Sequence, residues 1–171
     1  MTQHVTNKAI TNQQGSRQVL TFTLGAETYG VDILRVQEIR GWSAVTRIPQ
    51  APLHVLGVLN LRGSIVPIID LRMRFQLERA EYTALTVIIV LSVESAAGRR
   101  DIGMVVDGVS DVIDVDSAKV KPAPDLGVQA GTDFIRGLAT VGENMVMLLD
   151  VDKLIGNDAV ASAALPDDVA A

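Results

Sequence analysis

Few side chains in this sequence have the type and spacing that enzyme chemistry requires. The chain contains two histidines and no cysteine. Neither His4 nor His54 has a carboxylate partner at a spacing typical of a catalytic triad or a zinc site. The glycines form neither a dinucleotide-binding nor a phosphate-binding loop. We therefore expect no catalytic residue, no metal and no cofactor.

One pair of acidic residues does recur. Asp70 and Asp150 lie 80 residues apart, and each follows a predicted strand and precedes a predicted helical turn. A carboxylate at that position accepts hydrogen bonds from the free amides of the first turn. Because capping accounts for both residues, the sequence favours it over a pair of catalytic carboxylates.

These aspartates belong to a longer internal repeat. Residues 57–71 read GVLNLRGSIVPIIDL, and residues 137–151 read GLATVGENMVMLLDV, with Gly, Val and Asp at matching places. Upstream, residues 29–39 match residues 102–112 at an offset of 73. Two copies of one β-rich unit account for both matches. We expect two units that bury their aliphatic sides separately and leave a cleft between them.

The composition is typical of a folded protein with an aliphatic core. Of the 171 residues, 48% are hydrophobic and 4% are aromatic, which is enough apolar content for one or two domains. A net charge of −5 without any Lys/Arg-rich run argues against nucleic-acid binding. No secretory signal and no apolar stretch of about 18 residues is visible. We expect a soluble cytoplasmic protein.

Hairpins dominate the predicted elements. The clearest joins strands over residues 56–61 and 65–69, with Gly63 supplying a positive φ in the turn. Another is predicted over residues 134–141 and 145–149, and Asp107-Gly108 has the composition of a third hairpin turn.

Other short elements complete the prediction. Asp32 is expected to cap a helix over residues 33–40, and residues 45–48 are predicted as a strand. About ten short strands in all favour an all-β fold of two five-stranded barrels, SH3-like or OB-like, with short helices.

The predicted organisation is one domain over residues 18–156. The first barrel is expected over residues 18–80 and the second over 83–152, and the residues alone do not show whether the barrels exchange strands. Residues 1–17 are polar and aperiodic and are expected to be disordered. Residues 157–171 form an Ala- and Asp-rich tail of low predicted order.

Several segments resemble the CheW family of chemotaxis coupling proteins. The most specific is Asn60-Leu61-Arg62-Gly63, which is followed, after Ser64, by IVPIIDL. The supporting segments are FTLG at 22–25, YGV at 29–31, VQEIRGW at 36–42, RIP at 47–49, GVLNLRG at 57–63, GMVVDGVSDV at 103–112 and LLD at 148–150. The resemblance extends in order over most of residues 18–156.

The resemblance implies a non-enzymatic adaptor that links methyl-accepting chemoreceptors to the histidine kinase CheA. It also implies two barrels that exchange elements, with the receptor's helical hairpin docked in the groove between them. Motif matching assigns six residues to receptor binding: Val36, Glu38, Gly57, Arg62, Gly63 and, on a weaker match, Val112. The kinase is expected on an exposed surface of the second barrel, with no residue assigned.

The resemblance implies recruitment from the cytoplasm to membrane-bound receptor arrays, without insertion into the membrane and without a nucleic acid or small-molecule substrate. Two other interpretations stay open. A CheW-like regulatory module of a larger signalling protein is disfavoured because 171 residues hold no further domain. A small-molecule-binding β-barrel enzyme would need acids or histidines converging on a pocket.

Overall fold

The computed structural model describes residues 15–78, 81–96, 98–123 and 134–156. The described residues form strands, two short α-helices, and 3₁₀ turns at Ile33–Arg35 and Ser117–Lys119. The strands and helices are β1 (Ser16–Leu24), β2 (Glu27–Asp32), β3 (Val36–Gly41), β4 (Val55–Leu61), β5 (Ser64–Asp70), α1 (Leu71–Arg74), β6 (Val87–Ser95), β7 (Gly98–Val106), β8 (Gly108–Asp116), β9 (Ile135–Val141), β10 (Asn144–Leu149) and α2 (Val151–Gly156). No helix among them is both long and apolar enough to cross a membrane.

The strands form two five-stranded sheets, which confirms the all-β prediction. Sheet I has the order β8-β1-β2-β10-β9, and sheet II has the order β3-β6-β7-β5-β4. Each sheet contains one parallel pair, β2 with β10 and β5 with β7. Both sheets take strands from both halves of the chain, so neither sheet is formed by residues 18–80 alone or by residues 83–152 alone, as the expected barrel boundaries would require. This is the exchange of elements that the resemblance implies.

Each sheet is closed by the segment that follows its edge strand. In sheet II, Thr46 bridges Val58 with N–H···O distances of 3.0 and 2.8 Å, and in sheet I, Lys121 bridges Leu138 at 2.9 and 2.7 Å. These bridges connect the two edges of each sheet and give it a barrel form. The predicted strand over residues 45–48 is reduced to this single bridge.

Two predicted local elements are wrong. The helix over residues 33–40 ends after one 3₁₀ turn at Arg35, and Val36–Gly41 form β3 instead. Asp32 caps that turn, accepting from the Leu34 amide at 3.0 Å. The side chains of β3 alternate in exposure, and pairing with the buried strand β6 outweighs a weak helical preference.

The second wrong prediction is the Asp107-Gly108 hairpin. Strands β7 and β8 belong to different sheets, so this dipeptide is the crossover between them. The Asp107 carboxylate accepts from the Gly25 amide at 2.7 Å and pairs with Arg72 at 2.7 Å. The strands on either side of Asp107-Gly108 therefore diverge, whereas a primed turn would have paired them.

Both predicted caps are confirmed. The Asp70 carboxylate accepts from the Arg72 amide at 3.0 Å at the start of α1. The Asp150 carboxylate accepts from the Lys153 amide at 3.1 Å at the start of α2. Residues 1–14 and 157–171, which include most of the predicted lead and the whole predicted tail, lie outside the described residues.

The core does not divide as expected. Each sheet has a small cluster of its own, but the largest cluster joins buried side chains of both sheets, including Leu20 and Phe22 from sheet I and Ile89 and Met104 from sheet II. The two units therefore share one apolar interface. Because the largest cluster of buried apolar side chains contains residues of both sheets, neither sheet can bury its apolar face without the other, and the two form one folding unit.

A partly exposed ion pair at the edge of this interface adds to its stability. Arg35, in the turn between the sheets, binds Asp152 of α2 through two hydrogen bonds of 3.0 and 2.6 Å. The same carboxylate accepts from the Glu94 amide at 2.8 Å, and Arg35 donates to the Ser92 carbonyl at 3.2 Å. The hydrogen bonds that Arg35 donates to Asp152 are the main reason that the pKa of Arg35 lies above its ordinary value.

Candidate functional site

The turn between β4 and β5 presents Arg62 to solvent. Arg62 and Gly63 are its two central residues, with φ of 56° and 87°, which is the pattern of a type I′ turn. The Gly63 amide donates to the Asn60 side chain at 3.0 Å, which stabilises the turn. A positive φ is unusual for arginine and carries strain. The strain at an exposed, charged residue favours a functional role for Arg62.

Glu38 on β3 lies beside this turn. The distance from Arg62 Nη2 to Glu38 Oε2 is 3.9 Å, and the side chains are 86% and 28% exposed, respectively. Because β3 and β4 are the opposite edges of sheet II, barrel closure is what brings the two residues together. An exposed pair at this distance contributes only about 0–1 kcal/mol to stability, so both charges remain available to a partner.

Val36 and Ile39 lie on the other face of β3. A bulge at Gln37 interrupts the pairing with β6, so that Val36 opposes Leu91 and Ile39 opposes Ile89. Both opposing residues belong to the core shared by the sheets. Val36 packs against that core, whereas Ile39 is 44% exposed. Strand β3 therefore directs an apolar pair toward the junction of the sheets and a carboxylate toward Arg62.

Gly57 has a structural position. It is buried in β4 with φ of 149°, and a Cβ placed on it would lie 2.0 Å from the Thr46 carbonyl oxygen. Only glycine lets the Thr46 segment approach and close the sheet. Gly57 thus positions the Arg62 turn without offering a side chain of its own.

Val112 lies on β8, the edge strand of sheet I, and is 44% exposed. It pairs with Leu20, a member of the shared core, and it occupies the place in sheet I that Ile39 occupies in sheet II. Among the described residues, no hydrogen bond or ion pair joins it to Glu38 or Arg62. The structure thus brings Glu38 and Arg62 together and leaves Val112 on the other sheet.

The motif match omits Ile39. If residues 36–41 had been interpreted as a strand and not as part of a helix, the alternation of exposed and less exposed side chains would have predicted an exposed Ile39. The described side chains contain no cluster of three His, Cys, Asp or Glu residues able to hold a metal ion. The arrangement is suited to contact with another protein: charges at a rim, apolar side chains beside them, and a rigid turn.

Comparison with known proteins agrees with this geometry. A family model described as a CheW-like domain matches residues 18–159. The chain is 47% identical over 154 residues to the chemotaxis protein CheW of Klebsiella aerogenes, covering 90% of this chain and 89% of the relative. It is 37% identical to that of Rhizobium meliloti, covering 90% and 97%.

A solved structure has the same fold. The scaffolding protein TtCheW from Thermoanaerobacter tengcongensis aligns with a TM-score of 0.72 at 30% identity, covering 81% of this chain and 91% of that one.

Proposed function

This chain belongs to the CheW-like family of chemotaxis adaptors, and from that premise we propose that it couples methyl-accepting chemoreceptors to the histidine kinase CheA. The protein is a scaffold and not an enzyme. Recruitment from the cytoplasm to membrane-bound receptor arrays is part of the same proposal. The observation that carries it is the rim formed by Glu38 and Arg62, 3.9 Å apart at the closed edge of sheet II.

The receptor's helical hairpin docks against this rim. A helix in a groove needs apolar anchors beside polar contacts that set its register. Val36 and Ile39 supply apolar surface at the junction of the sheets, and Glu38 and Arg62 supply opposite charges. Gly57 and Gly63 hold the turn in place, and Val112 contributes from sheet I.

Co-sedimentation with receptor-containing membranes tests this assignment. Arg62→Glu places two acidic groups at the rim, and Val36→Lys places a charge among apolar side chains. If the rim is desolvated in the complex, each substitution costs about 2–5 kcal/mol, or at least about 30-fold in affinity. Arg99→Glu on β7 is the matched control and retains binding. Unchanged co-sedimentation of both rim variants, with native circular dichroism, would remove the receptor from this site.

The kinase contacts sheet I, and we place that contact on the β9–β10 hairpin, which lies within residues 83–152. Val141 and Met145 are exposed near its turn, on opposite faces of the hairpin, and the contact that we propose is centred on Met145, the more exposed of the two. Met145→Lys should weaken binding to the CheA regulatory domain and leave receptor co-sedimentation intact. Arg62→Glu should do the reverse. Loss of both activities in both variants would indicate misfolding instead of two separate surfaces.

A further inference from the structure

The two sheets correspond strand by strand. In the orders given above, β8, β1, β2, β10 and β9 of sheet I occupy the places of β3, β6, β7, β5 and β4 of sheet II. The registers agree as well: the parallel pair Leu148–Gly30 corresponds to Ile68–Gly103. Each position in one barrel therefore has an equivalent in the other.

The interiors of the barrels differ at several of these positions, one of which places Asp32 of sheet I where sheet II has the core residue Val105. Trp42 in sheet II corresponds to Val115 in sheet I. The Trp42 amide donates to the Thr86 carbonyl just before β6, and Val115 pairs with Arg17 at the equivalent place on β1. Leu56 corresponds to Arg136, 80 residues later. In sheet II, Trp42 and Leu56 pack against the barrel's own core. In sheet I, a smaller side chain and a charged one stand in their places.

The consequence is a cavity of about 260 Å³ in sheet I. Its walls are mainly apolar, formed chiefly by Val19, Val115, Val120 and Leu148, and they also include the polar side chains of Arg17, Asp32, Ser117 and Arg136. Within the described ranges, neither guanidinium has an ion pair. The acids that line this cavity or the pocket next to it are engaged elsewhere: Asp32 and Asp150 cap turns, and Asp152 binds Arg35.

We propose that this cavity binds an aliphatic carboxylate of about six to eight carbons. The chain would lie against the valine and leucine side chains, and the carboxylate would bind Arg17 and Arg136, whose guanidinium groups suit a two-oxygen anion. A cavity of about 150 Å³ holds benzene, so the larger volume accommodates a medium-length chain. The site shares no residue with the receptor rim. Its Arg136 and Leu148 lie in β9 and β10 but away from the turn beside Met145, and the inference does not depend on the adaptor role.

Methyl NMR titration of the intact protein tests the site with three probes: octanoate, butanoate and octan-1-ol. Octanoate is expected to shift the Val19, Val115 and Leu148 methyl resonances. Each methylene contributes about fourfold in affinity, so butanoate should bind more than about 100-fold more weakly. Octan-1-ol, which lacks the anion, should bind at least about tenfold more weakly than octanoate.

Two variants separate charge from volume. Arg17→Gln with Arg136→Gln should lower octanoate affinity to that of octan-1-ol, and the control Arg99→Gln should change nothing. Val115→Trp should fill the cavity as Trp42 does in sheet II and abolish binding of both probes. If that variant does not fold, Val19→Ile, which copies Ile88 of sheet II, should still weaken octanoate.

Three results would overturn the proposal. The first is the absence of methyl shifts at millimolar octanoate. The second is equal affinity for octanoate and octan-1-ol, which would remove the role of the arginines. The third is a response confined to the fluorescence of Trp42, the single tryptophan, which would place binding in the other barrel.

Discussion

Replacing Gly57 by alanine tests how the Arg62 turn is held. The new Cβ would lie 2.0 Å from the oxygen and 2.7 Å from the carbon of the Thr46 carbonyl. Both are backbone atoms held by the Thr46–Val58 bridge, so they cannot rotate away. Overpacking costs about 1–3 kcal/mol, and a side chain at φ of 149° adds about 1–3 kcal/mol. We expect a total of about 2–6 kcal/mol, a large part of the free energy of unfolding of a domain.

Urea denaturation followed by circular dichroism measures this loss. Gly63→Ala is the matched control, because Gly63 has φ of 87° and no atom within 4 Å of its Cβ position. It should lose only about 1–2 kcal/mol of strain energy. The reasoning is refuted if Gly57→Ala is no less stable than Gly63→Ala. A stable Gly57→Ala that fails to bind receptor would make Gly57 a contact residue.

Two further predictions concern the joint between the sheets and its core. Asp152→Asn removes the charge that binds Arg35. Because both side chains are partly exposed, urea denaturation should show that the free energy of unfolding falls by only about 1–2 kcal/mol. An unchanged midpoint would mean that the pair contributes nothing to stability. Burial, and secondarily the charge of Glu27, raises the pKa of Tyr29, so the neutral phenol stabilises the fold. That contribution is complete below the unfolded-state pKa of about 10 and is lost as the pH rises through the higher folded-state pKa. Tyr29→Phe should therefore lose less unfolding free energy at alkaline pH than the parent; equal losses would contradict this.

Features set by a few neighbouring residues could be predicted from the sequence. The hairpin around Arg62-Gly63 and the caps at Asp70 and Asp150 depend on turn chemistry and on carboxylates next to free amides. The predictions for residues 33–40 and for Asp107-Gly108 were wrong for the same reason. Their local patterns fit a helix and a hairpin, but pairing with distant strands determines the outcome.

The interface between the sheets lies beyond local patterns altogether. Leu20 and Ile89 join one core although they are far apart in the sequence, and nothing in the periodicity of either strand indicates which sheet it will face. Glu38 and Arg62 meet only because the sheet closes. The family resemblance assigned both residues to receptor binding but did not predict their pairing, and the exposure of Ile39 required the strand assignment that the structure supplies.

The most direct test of the adaptor role is kinase recruitment. Receptor-containing membranes are mixed with CheA, with and without this protein, and the kinase in the pellet is measured. We predict that CheA sediments with the membranes far more when the protein is present, and that Arg62→Glu abolishes the increase while Arg99→Glu preserves it. Recruitment that is equal without the protein, or equal with Arg62→Glu, would contradict the account.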